Sequence, residues 1–149
     1  MGVNLDRFQQ VLEAAEPKLR AISEADSMRR PAPTAWCAKE VLGHLIDSAS
    51  NNHQRFIRGQ LAAELHSLSY DQDAWVERGA YVWRSWAELV DLWIATNRQM
   101  LHIARWMRPE SLGAVIVVGT DVPVTLQFIV NDYVRHIEHH LRQLDEAVR

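Results

Sequence analysis

A chain of 149 residues with 48% hydrophobic and 23% charged residues has the balance of a soluble globular protein, and a chain of this length buries a core without staples. A net charge of −3 with scattered basic residues argues against a nucleic-acid module, which shows a basic stripe. No apolar run approaches the ~20 residues of a membrane span, the start MGVNLDRFQQ lacks the apolar core of a signal peptide, and the lone Cys37 forbids an intrachain disulfide. These features predict one cytoplasmic domain over residues 1–149, with no nucleic-acid and no membrane partner.

In chain order, Asn4 is an N-cap candidate for a first helix from about Leu5 to Ser23, with Phe8, Val11, Leu12, Ala15 and Leu19 as its apolar stripe. Pro17 is expected to kink or split that helix. The prolines of DSMRRPAPTAW (26–36) predict a loop. A second helix is expected from about Ala38 to Leu65, with Val41, Leu42, Leu45, Ala49, Phe56, Ile57, Leu61 and Leu65 as its apolar pattern. Glu40 stands where a capping-box glutamate belongs, with Cys37 in place of the usual serine or threonine. Residues 66–84 have no clean period and predict a long connection with at most a helical turn, whose Trp75 and Trp83 are candidates to wall a pocket. Ser85 to Glu88 is a capping box opening a third helix, about Trp86 to Met107, which Pro109 closes. The β-branched VIVV run and the GTD turn signal within 111–124 predict a short hairpin or an extended crossover. Thr125 can cap a last helix from about Leu126 to Val148. Four long helices predict an all-α four-helix bundle. Its long connections argue against a simple up-down-up-down topology.

Two helix faces carry chemistry. His44, Asp47, Ser48 and Asn51 share a polar face of the second helix, and Tyr133, His136, His140 and Gln143 form a stripe on the last. Polar stripes inside a bundle are costly unless satisfied, and a metal ion is one way to satisfy them. Three imidazoles and an open position match catalytic rather than structural metal sites. His44, His136 and His140 are therefore the candidate ligands, with His139 as the alternative to His140, and zinc or nickel suits an all-nitrogen set. Asp47, one turn from His44, can orient a histidine or act as a general base. Tyr133 is the second candidate catalytic residue, and Asn51 and Gln143 are candidate substrate contacts. Trp86 and Trp93 read as core, and Trp36 as a hydrophobic staple.

The segments WCAKEVLGHLIDSASNNHQRF (36–56) and DYVRHIEHHLRQL (132–144) resemble the two signatures of the DinB/YfiT-like four-helix metalloproteins, the DinB superfamily. The departure from the family pattern is Cys37, where serine or threonine is usual. The resemblance implies a four-helix bundle, often homodimeric, with a divalent metal on His44, His136 and His140. It also implies an enzyme that activates a low-molecular-weight thiol or water for transfer to, or hydrolysis of, a small molecule. The alternative is a non-catalytic metal- or ligand-binding module of a stress response.

Overall fold

A computed structural model describes residues 2–149. The long helices are α1 (Leu5–Ala21), α3 (Ala38–Arg58), α5 (Trp86–Trp106) and α6 (Leu126–Ala147), with short helices α2 (Glu24–Ser27) and α4 (Gln72–Gly79). The expected caps form. Asn4 Oδ1 accepts the Arg7 N–H, Ser85 Oγ the Glu88 N–H and Thr125 Oγ1 the Phe128 N–H, each satisfying a first-turn donor that the helix cannot. At α3 the Cys37 backbone N–H donates to Glu40, the glutamate half of the predicted box.

Each long helix packs mainly on two of the others. α3 packs on α5 and α6, and α1 packs on the same two. Helices α1 and α3, successive among the long helices, therefore lie diagonally across the bundle. The core runs between all four, from Phe8 and Leu19 through Leu42, Leu45 and Phe56 to Leu89, Trp93, Met100, Ile137 and Leu144. Trp86 and Trp93 are buried there as expected.

Three expectations need correction. Pro17 does not split α1, which runs unbroken from Leu5 to Ala21; the residue sits on the exposed face, where water can take the carbonyl its ring leaves unpaired. The second long helix stops at Arg58 rather than continuing to Leu65, and Leu61 is exposed. The lost stretch becomes β1 (Glu64–Ser67), because the Val115–Val118 run needs a partner for its backbone. That run is β2, which pairs in parallel with β1 and antiparallel with β3 (Val124–Thr125). The hairpin before the last helix is thus present, within a three-stranded sheet that joins the exit of α3 to the entry of α6. Third, the connection after β1 holds α4 and a 3-10 turn over Tyr81–Trp83. Its Trp83 is 87% exposed, and Trp75, 41% exposed, packs against Tyr70.

A buried cross-link sets the start of α5. Lys39, 2% exposed, pairs with Glu24 and donates to the Arg84 carbonyl, and Glu24 accepts the Trp86 backbone N–H. This clamp holds α2, α3 and α5 at one end of the bundle.

Candidate metal centre

Helical spacing places the site. His44, Ser48, Asn52 and Arg55 follow one another by three or four residues along α3, and Tyr133, His136, His140 and Gln143 do so along α6. Because α3 and α6 pack together, the stripes face each other.

His44, His136 and His140 each offer a ring nitrogen, and these atoms all lie within 4.8 Å of one another. His44 Nε2 and His136 Nε2 are 3.1 Å apart. Tetrahedral zinc with Zn–N bonds of 2.0–2.1 Å spaces its nitrogens by about 3.3 Å. The donor set thus fits a divalent ion, with a fourth position left for an outside ligand. His139 is exposed, its ring against that of His140 (centroids 4.9 Å apart), and is not in the cluster.

Electrostatics favours the ligand form of each ring. Burial, then the neighbouring His140 and His136, lowers His44 to about 3. Burial, then His140, lowers His136 to about 4. His140 is also lowered, mainly by burial. All three are neutral at pH 7, with lone pairs available.

The outer nitrogens are held unequally. His140 Nδ1–H donates to Gln143 Oε1 at 2.7 Å, which directs Nε2 inward. His136 Nδ1 lies 3.4 Å from Ser48 Oγ. His44 Nδ1 has no partner among the described residues, and its ring is backed by half-buried Trp36, with centroids 5.4 Å apart. The tryptophan read as a staple therefore touches the site itself.

The remaining predicted site residues are distributed as follows. Asp47 is buried, its Oδ1 accepting the Tyr81 hydroxyl while Oδ2 has no partner among the described residues; burial raises its carboxyl above its ordinary value. Asn51 donates to the Asp47 backbone carbonyl at 2.9 Å. Gln143 contacts the His140 ring. Tyr133 is buried, and its hydroxyl donates to Asn97 Oδ1 at 2.6 Å, whose amide in turn donates to the Trp93 carbonyl. The Cys37 thiol is pushed up by burial, which outweighs its place at a helix N-terminus.

Tyr81 was absent from the sequence reading. It reaches Asp47 because Gly43 and Gly79 leave room: a Cβ at Gly43 would fall 2.1 Å from Tyr81 Cδ2, and one at Gly79 2.5 Å from its Cε2. The glycine one residue before His44 was the available signal, but nothing local names its occupant. Also absent was Arg55, which lines a cavity of about 240 Å³ with Ser48, Asn52, Tyr70, Tyr133 and His136.

Residues 5–144 match the family model of the DinB superfamily. Among solved structures, the fold is similar to that of YfiT from Bacillus subtilis, with TM-score 0.83 and 22% identity over 96% of this chain and 85% of that one. YfiT is described as a probable metal-dependent hydrolase with an unusual four-helix bundle topology. No curated protein sequence matches.

Proposed function

The chain belongs to the DinB superfamily, and from that premise we propose that it is a metal-dependent enzyme that holds zinc or nickel on His44, His136 and His140 and acts on a small molecule. The observation that carries this reading is the convergence of three neutral imidazoles, buried or half-buried, within 4.8 Å. The ion would supply Lewis acidity, lowering the pKa of a water or of a low-molecular-weight thiol in the fourth position.

The chain's own residues would do the rest. Gln143 and Ser48 orient His140 and His136, so that the inward nitrogens keep their spacing. Asp47 is the proton acceptor, because desolvation raises its affinity for a proton and Oδ2 is uncommitted. Tyr81 fixes Asp47 by donating to Oδ1. The cavity beside His136 receives the substrate. Tyr133, whose hydroxyl serves Asn97, contributes to that cavity's wall rather than to proton transfer. We take residues 1–149 as a single domain that works as a cytoplasmic homodimer.

Metal content of the purified protein, and of His44→Ala and His140→Ala, tests the ligand set. Stoichiometric metal retained in both variants would sink it. Assay of the metal-loaded protein with simple esters and amides, and with small thiols plus an electrophile, separates hydrolysis from thiol transfer. Metal binding with no turnover of either class would favour the non-catalytic binding module.

A further inference from the structure

Arg55 sits two helical turns beyond Ser48 on the polar face of α3 and is 7% exposed. Its partners are neutral. Nε donates to Ser67 Oγ at 3.0 Å, Nη2 to the Leu68 carbonyl at 2.9 Å, and Nη1 makes a long 3.5 Å contact with Asn52 Oδ1. Among the described residues no carboxylate forms an ion pair with it. A guanidinium has five N–H donors, so at least one on each terminal nitrogen is uncommitted. A buried charge without an ion pair is costly: desolvation pulls this group below its ordinary value, and the more distant charges of Tyr70 and Asp121 offset that only in part.

The cation borders the cavity that also reaches His136. The seven residues from Ser48, which touches His136, to Arg55 rise about 10 Å along the helix. The cavity's two carboxylates, Asp121 and Asp132, belong to exposed residues, and Asp132 is paired with Arg135 at 2.9 Å. Their negative charge disfavours a dianion more than a monoanion, while the free terminal N–H groups of Arg55 match a planar carboxylate.

We propose that Arg55 is the anion-binding end of the substrate site, and that the substrate is a carboxylate whose reacting group lies away from its charge, at the histidine triad. The inference rests on the triad being the reacting centre. It gives the cavity a polarity: carboxylate toward the sheet, reactive end toward His136. Asp121 competes for Arg55 from the open side and weakens the binding of an anion.

Calorimetric titration of the full-length protein with hexanoate, inorganic phosphate and hexylamine, with and without added zinc, tests this. Hexanoate is expected to bind in the millimolar range in both conditions, about tenfold more weakly to Arg55→Gln, and more tightly to Asp121→Asn. His140→Ala should lose zinc and keep hexanoate, so failure of the metal assignment reads separately from failure of the anion site. Circular dichroism reports whether Arg55→Gln folds; if it does not, the Asp121→Asn result decides, because Arg55 is intact there. Equal hexanoate affinity in folded Arg55→Gln, weaker binding in Asp121→Asn, no binding to the unsubstituted protein, or a preference for hexylamine would each overturn the proposal. A preference for phosphate would overturn the carboxylate.

Discussion

The α1/α5 half of the bundle and the α3/α6 half bury different chemistry. Between α1 and α5 the interior is Phe8, Leu12, Leu19, Trp86 and Met100, and the Trp86 indole N–H is spent on the Leu19 carbonyl at 2.8 Å. Charges there stay outside, as in the pairs Arg20–Asp91 and Arg98–Glu16, each 2.8 Å. Between α3 and α6 the interior takes in His44, Asp47, Ser48, Asn52, Arg55 and His140, with His44 Nδ1 and Asp47 Oδ2 unpartnered among the described residues; on α5 the Trp93 indole N–H is unpartnered too. Burial of such groups opposes folding. The first half is largely apolar; the second buries more polar groups, at a cost in stability.

Acid gives the largest test of that division, because it acts on three rings at once. The folded-state values of about 3 for His44 and about 4 for His136 lie below the ordinary 6.5, so the unfolded chain takes up protons first as pH falls. The stability of the metal-free protein should be unaffected by these groups above pH 6.5 and decline from there toward about pH 4. The urea midpoint across that window checks it, and His44→Ala should flatten the decline. A flat midpoint in the unsubstituted protein would mean the rings are not buried neutral.

On the other side of the bundle, Trp93→Ala should cost about 3–5 kcal/mol through the cavity it leaves, with metal stoichiometry unchanged at temperatures where the variant is folded. Urea unfolding and metal analysis on the same sample would show whether the halves separate. Gly43→Ala tests where they meet. Its Cβ would strike the Tyr81 ring, costing about 1–3 kcal/mol and displacing the hydroxyl from Asp47, so activity should fall more than metal binding. Gln143→Leu should weaken metal binding by about 10- to 100-fold while leaving metal-free stability nearly unchanged, measured by competition with a chelating dye. Asp91→Asn, on the exposed pair, should shift stability by no more than about 1 kcal/mol and metal affinity not at all.

Much of this division was legible in the residues. Spacings of three and four placed His136, His140 and Gln143 on one stripe and His44 and Ser48 on another, because a helix repeats every 3.6 residues regardless of what surrounds it. Caps at Asn4, Ser85 and Thr125 were legible for the same reason: the contact is three residues long. Leu61 and Leu65 misled because they continue the α3 pattern, while Leu61 lies in an exposed bend and the pairing of β1 with β2, residues about 50 apart, claimed the backbone of Leu65 instead. Tyr133 shares the stripe of the histidines, yet its hydroxyl belongs to Asn97 on α5.

The sequence by itself therefore determined the four long helices and their polar faces, products of short-range periodicity. Only the tertiary structure decided that Tyr81 meets Asp47, that Trp36 backs His44, and that Arg55 faces a cavity shared with His136. Those contacts join elements distant in the chain. Their geometry depends on how whole helices and the small sheet pack, and no local pattern encodes it.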